Sequence, residues 1–229
     1  MAQSKRIYLI LGDSSSLAKN LIEHFEKENV AFIGISRNSP SIQADLTKSK
    51  QTSKAAQVIS QKFNKLDGVI NFVGGQLGEG KIADISEDQW LDTFRLNVLS
   101  FSNSFNSFST LLNQDSLWIN LSSVMTRSPS VFNSHYAATK AALETLTRSV
   151  ALDYEQHRIR LLTLRVGAID TEKTRENSHF DEERVKSRIT MNRMGKMNEL
   201  STFIHFLLES QAKWVTGHVY DFDGGTALR

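Results

Sequence analysis

Cysteine is absent from the 229 residues. Disulfides, thiolate metal sites and cysteine nucleophiles are therefore excluded at once. The six histidines are scattered, with no pair at ligand spacing on a helix, so no structural metal is expected. No apolar run approaches the roughly 18 residues that a membrane helix needs. The basic start MAQSKR leads into only a short apolar run, Ile7–Leu11, before Gly12 and Asp13, which is too short for a secretory signal and reads as a strand. A net charge of +2 gives no electrostatic case for nucleic acid. There is no internal repeat, linker or low-complexity tract. The expectation is one soluble, cytoplasmic domain over residues 1–229, without membrane or nucleic-acid partners.

The composition, 40% hydrophobic and 23% charged, is that of a globular protein able to bury a sizeable core. Strand and helix signals alternate along the chain. Strands are expected at Ile7–Leu11, Val30–Ile35, Ile42–Asp45, Leu66–Val73, Leu117–Leu121, Arg160–Val166 and His218–Phe222. Helices are expected at Leu17–Glu28, Thr52–Phe63, within Ser86–Leu112, from Ser134 onward and at Glu199–Glu209. This alternation predicts an α/β fold, a single doubly wound parallel sheet with helices on both faces. The polar stretch Thr171–Arg193 fits neither pattern.

The chain is organised around Leu117–Lys140, a buried strand, two serines, a loop and the start of a helix. Tyr136 and Lys140 stand four apart, so on a helix they share a face. Ser123 sits at the strand end, where it can converge on them. A phenol titrates near pH 10, and a neighbouring ammonium is expected to lower that value. Such a tyrosine can exchange a proton with a substrate oxygen that a serine hydroxyl holds. Ser122 and Ser123 point to opposite faces of a strand, so only one of them can serve. His135 is expected on the surface at the helix start.

The first strand, the turn LGDSSSLA and the following helix form a phosphate-binding arrangement, with free N–H groups and small residues at a helix N-terminus. Here the chain resembles the short-chain dehydrogenase/reductase family, whose turn reads TGxxxGxG. Gly12 is kept, while Ser16 and Ala18 replace the second and third glycines. INFVGG at Ile70–Gly75 resembles the family's NNAG, and Ala44-Asp45-Leu46 stands where the family contacts adenine. EDQWLDTFRLNV resembles the helix delivering the family's asparagine, here Asn97. NLSSV is followed thirteen residues later by YAATK, and RVGAIDT, NRMGK and VTGHVYDFDGG match the family's closing segments in order.

The resemblance implies a Rossmann-type fold and an NAD(P)-dependent oxidoreductase acting on a small carbonyl or alcohol. It implies Asn97, Ser123, Tyr136 and Lys140 as the catalytic set, with Asn97 holding a water that links Lys140 to solvent. Cofactor contacts would come from Gly12, Ser14, Ser15, Ser16, Leu17, Arg37, Asp45, Leu46, Asn71, Gly74, Tyr136, Lys140, Ile169 and Thr171. The second strand ends in Ile35-Ser36-Arg37, with no acid for a ribose 2′-hydroxyl and one base for a 2′-phosphate, so NADP(H) is expected over NAD(H). The substrate pocket would draw on Met125, Arg127, Phe132, His135, Phe180 and Arg184, with a small lid around 171–195. A homodimer or homotetramer is expected through the helix with Phe101, Phe105 and Phe108 and the one with Tyr136. The first would offer Ser102, Asn106 and Ser109, the second Ala137, Ala138, Ala141, Ala142, Leu143, Leu146, Val150 and Leu152. The altered glycine turn leaves open a non-catalytic NADP(H)-binding sensor or regulatory protein on the same fold.

Overall fold

The structure is a computed structural model and describes residues 6–176, 181–209 and 213–228. Its frame is one seven-stranded sheet in the order β3-β2-β1-β4-β5-β6-β7. The strands are β1 (Ile7–Leu11), β2 (Ala31–Ser36), β3 (Ile42–Gln43), β4 (Leu66–Asn71), β5 (Leu112–Ser123), β6 (Arg160–Val166) and β7 (His218–Phe222), and every pairing is parallel. The order reverses between β1 and β4. In open parallel sheets a ligand crevice lies at such a switch point, outside the carboxyl ends of the strands.

The helices are α1 (Ser16–Lys27), α2 (Ser49–Lys62), α3 (Glu87–Phe94), α4 (Ser100–Phe108), α5 (Ser134–Asp153), α6 (Glu172–Arg175), α7 (Glu182–Ser187) and α8 (Met197–Glu209). Two buried clusters cover the two faces of the sheet. On one, Leu9, Leu11, Ile35 and Trp118 pack with Phe101, Phe105 and Phe108 of α4, Ile59 of α2 and Leu143 of α5. On the other, Tyr8, Ile10, Ile70 and Ile119 pack with Leu21 and Phe25 of α1 and Ile204 and Leu208 of α8. Each such side chain contributes about 1.5–3 kcal/mol when fully buried. Fully buried strands on both faces explain why the apolar runs are continuous rather than alternating.

Element boundaries depart from expectation in three informative places. The helical region Ser86–Leu112 is broken, with a turn of π-helix at Arg95–Leu99 between α3 and α4. β5 begins at Leu112, earlier than its apolar run, because Leu112 pairs with Leu66 before the register shifts. β3 is only two residues long and joins β2 through a link too short for a crossover helix. Parallel strands usually need a dozen or more connecting residues. Here Ser39 closes the link. Its hydroxyl lies 2.5 Å from Asp13 Oδ2 and 3.1 Å from Gly34 O, and it accepts from the backbone N–H groups of Ser41 and Ile42. Gly34 makes room for this, since a Cβ there would collide with the Asp13 carboxylate.

Of the expected partner-facing residues, Ser109 and Leu143 are buried in the subunit itself, at 7% and 0% exposure. Packing of α4 and α5 on the sheet consumes them. Ala138, Ala141 and Leu152 remain exposed. Among the described residues no helix is long and apolar enough to cross a membrane, and no group of three potential ligands could hold a metal ion.

Candidate active site

A cleft of about 450 Å³ opens at the switch point. Its walls include Gly12, Ser14 and Ser15 from the first turn, Ser36 and Arg37 after β2, Asp45, Leu46 and Lys48 after β3, and Gly74 after β4. Ser15 caps α1 by accepting the Ala18 N–H at 3.2 Å, so the serine-rich turn still ends at a helix N-terminus that faces the cleft. Gly12 has φ +78°, and a Cβ on it would lie 3.0 Å from Val73 N. Backbone conformation and close approach both require glycine there. Ser36 Oγ is buried in the cleft wall without a partner among the described residues, a polar atom placed for a polar ligand. Arg37 is exposed beside it and has no hydrogen bond or ion pair among the described residues. These features fit a dinucleotide.

Not every expected contact lines the cleft. Ser16 is exposed in the first turn of α1 and Leu17 packs toward the core. The Asn71 amide is spent on Asn120 Oδ1 at 2.8 Å and on the Val73 N–H, within a buried ladder that continues to Thr147. Ile169 is buried beside Gly195, and Thr171 caps α6 by accepting the Thr174 N–H. Sequence reading missed Lys48 in the wall and Asp13 beneath it. Asp13 was visible only as an acid in a glycine turn.

The four expected catalytic side chains meet at the Gly74 end. A Cβ on Gly74 would lie 2.6 Å from Lys140 Nζ and 2.8 Å from Asn97 Oδ1, so this glycine, itself in the cleft wall, lets both groups pack directly behind it. The π-turn around Asn97 points its side chain inward, as such bulges often do at functional sites. Asn97 Nδ2 donates to Gly75 O at 2.8 Å and to Thr139 Oγ1 at 2.9 Å, and its Oδ1 accepts the Gly75 N–H. Both donors are engaged by protein, so Asn97 here holds the loop. Lys140 is buried, and its ammonium donates to Leu121 O at 2.8 Å. Its Nζ lies 5.9 Å from the centroid of the Tyr136 ring.

Ser123 lies beside the Tyr136 phenol, whereas Ser122 turns to Glu144 Oε1 at 2.7 Å. Strand alternation separates the two serines as expected. The acidity of the phenol departs from expectation. Burial pushes Tyr136 above its ordinary value of 10, and only the Ser123 hydroxyl pulls it back. The Lys140 ammonium is aimed at the Leu121 carbonyl and lies over the ring rather than at the hydroxyl. Burial also lowers Lys140 from 10.5 to about 8, against the raising effect of Glu144.

His135 is not a surface residue. It is fully buried, edge-on to Trp90, and its Nε2 donates to Leu77 O at 3.0 Å. The packing of α3 on α5 covers it, which no helix-start pattern could reveal. On the expected substrate side, Arg127 is paired with Asp221 at 2.7 Å, and Phe132 holds a left-handed φ of +66°. The Arg184 guanidinium is exposed on α7. Phe180 lies outside the described residues.

A glycine-kinked cleft at the switch point, with a Ser-Tyr-Lys-Asn cluster at one end, defines an NAD(P)-dependent dehydrogenase or reductase. Comparison with known proteins gives the same class. A family model described as enoyl-(acyl carrier protein) reductase matches residues 16–227. Dehydrogenase/reductase SDR family member 6 of Aquarana catesbeiana is 31% identical over 193 residues, covering 80% of this chain and 77% of that protein. The 3-oxoacyl-(acyl-carrier-protein) reductase FabG of Buchnera aphidicola is 24% identical over 98% of both chains. Ligand-free aldohexose dehydrogenase of Thermoplasma acidophilum superposes with a TM-score of 0.88 at 24% identity, covering 98% of this chain and 95% of that one. ElxO with NADP bound superposes at 0.87 and 23% identity, over 98% and 100%. The chain belongs to the short-chain dehydrogenase/reductase family.

Proposed function

We propose that this protein is a cytoplasmic, NADPH-dependent reductase that converts a small carbonyl compound to an alcohol, with Tyr136 as proton donor. The observation that carries this reading is the convergence of Ser123, Tyr136, Lys140 and Asn97 at the Gly74 end of the cleft. The nicotinamide cofactor, when bound, supplies the hydride. Tyr136 gives its proton to the substrate oxygen, and Ser123 donates a hydrogen bond to that oxygen as charge develops. Because burial raises the phenol, it is protonated at neutral pH, which suits donation and hence reduction. Lys140, largely charged below about pH 8, supplies positive charge beside the phenol and a donor for the cofactor ribose. Asn97 fixes the Gly74–Gly75 turn against Lys140.

The cofactor preference rests on Arg37, which stands beside the cleft without a partner among the described residues, where an NAD-selective site would carry an acid. Gly12, Ser14 and Ser15 would hold the pyrophosphate, Asp45 and Leu46 the adenine side, and Ile169 and Thr171 the carboxamide. Residues 171–176 and 181–195 would lie beside the substrate, with Met125, Arg127, Phe132 and Arg184 around it. NADP is named for one structural neighbour, which supports the same choice. A symmetric homodimer or homotetramer would use the exposed alanines of α5. The test is NADPH oxidation against a panel of ketones and quinones, with Tyr136→Phe as the control. That variant should lose at least about a hundredfold in kcat, the low end of acid catalysis, with cofactor affinity nearly unchanged. Retention of most activity would remove Tyr136 from the mechanism.

A further inference from the structure

A second set of buried charges lies directly behind Ser123. Glu144 sits on α5 one turn beyond Lys140, is 5% exposed, and faces the sheet. Its Oε1 accepts from Ser122 Oγ at 2.7 Å, Thr126 Oγ1 at 2.9 Å and Arg165 Nε at 3.1 Å, and its Oε2 accepts from Arg165 Nη2 at 2.7 Å. Arg165, on β6, continues to Asp221 on β7 at 2.5 Å, and Asp221 takes Arg127 at 2.7 Å. The tethers lead back to one residue. Ser122 is the chain neighbour of Ser123, and Thr126 Oγ1 lies 3.0 Å from Ser123 O.

Stability alone is a weak reason for this arrangement, because apolar residues of similar volume often stabilise as well as a buried ion pair. Position is a better one. The network joins the strand end that carries Ser123 to the helix that carries Tyr136 and Lys140, and small misplacements of such groups cost large factors in rate. We propose that Glu144, clamped by Arg165, is a positioning residue for the reaction, holding Ser123 against α5 and supplying the negative charge that faces Lys140. This rests on the catalytic reading of Ser123, Tyr136 and Lys140. The titratable groups around Lys140 are Tyr136 and Glu144 on its own helix, with Arg165 of β6 reaching it through Glu144. The Gly74–Gly75 turn, Asn97 and Leu121 O present only uncharged groups. Glu144 opposes the lowering of Lys140 by burial.

The experiment is steady-state NADPH oxidation with an ortho-quinone across the neutral and alkaline range, for the parent, Glu144→Gln, Ser122→Ala and Glu144→Gln/Arg165→Met. Glu144→Gln should lower kcat about tenfold with little change in the KM for NADPH, and should move the alkaline limb down by about one pH unit, the small end of a neighbouring charge effect. Ser122→Ala removes a tether without altering charge, so kcat should fall severalfold with the limb unmoved. The double variant should regain melting temperature but neither kcat nor the limb. Parent-like kcat and limb in Glu144→Gln overturn the proposal, and so does a double variant that regains activity together with stability. If Glu144→Gln does not fold, parent-like kcat in Ser122→Ala overturns it. Full activity in Tyr136→Phe would instead sink the catalytic reading beneath it.

Discussion

Replacing Lys140 by methionine should make the protein less dependent on pH while abolishing its chemistry. Burial lowers the Lys140 ammonium from 10.5 to about 8. Between those values the unfolded chain binds more protons than the folded one, so stability must rise with pH across that window. The whole shift corresponds to about 3 kcal/mol, at about 1.4 kcal/mol per unit. Moving from about pH 7 to about pH 9.5 crosses roughly half of it and should stabilise the parent by about 2 kcal/mol through this residue. Methionine has a similar volume and no charge, so its stability should lack that rise. It also leaves Leu121 O without the ammonium it now accepts from at 2.8 Å, a cost of about 1–3 kcal/mol. That cost is the same at both pH values and cancels in the difference.

The assay is urea denaturation of parent and variant at the two pH values, compared as a double difference. Other shifted groups stay out of the window. His24 is lowered by burial and titrates below it, while Tyr8 and Tyr136 are raised by burial and titrate above it. Parallel profiles for parent and Lys140→Met would mean that the lysine is hydrated in solution and its burial is not as described.

Arg37→Ala should bring NADPH affinity down to that of NADH, a loss of about tenfold or more for a charge-assisted phosphate contact; fluorescence titration of both cofactors checks it, and equal affinities in the parent would sink the NADP assignment. Light scattering at micromolar concentration should give a mass of a dimer or tetramer; a stable species near 25.8 kDa would mean that the polar face of α4 does not support a partner.

Local patterns made much of this molecule readable in its sequence. Apolar runs mark strands buried on two faces, so five of the seven expected strands lie close to their observed bounds. The four-residue spacing of Tyr136 and Lys140 dictates a shared helix face, and strand alternation separates Ser123 from Ser122. Family motifs in order supplied the rest of the proposed catalytic set. These inferences work because helix and strand periods relate residues near one another in the chain.

Tertiary structure decided what depends on partners far apart in sequence. Ser39 closes the β2–β3 link only because Asp13, 26 residues earlier, lies against Gly34. His135 is buried because Leu77 and Trp90 cover it. Asn97 points inward because a π-turn interrupts a helix whose sequence carries no breaker. The acidity of Tyr136 reversed the expectation from its spacing, since removal of water by the surrounding fold is the largest influence on the phenol. Nothing in the local sequence around Glu144, one helical turn after Lys140, marks it as buried. Arg165, 21 residues away and paired to it at 2.7 Å, makes its burial tolerable, and that pairing exists only once β6 has come to rest beside β5.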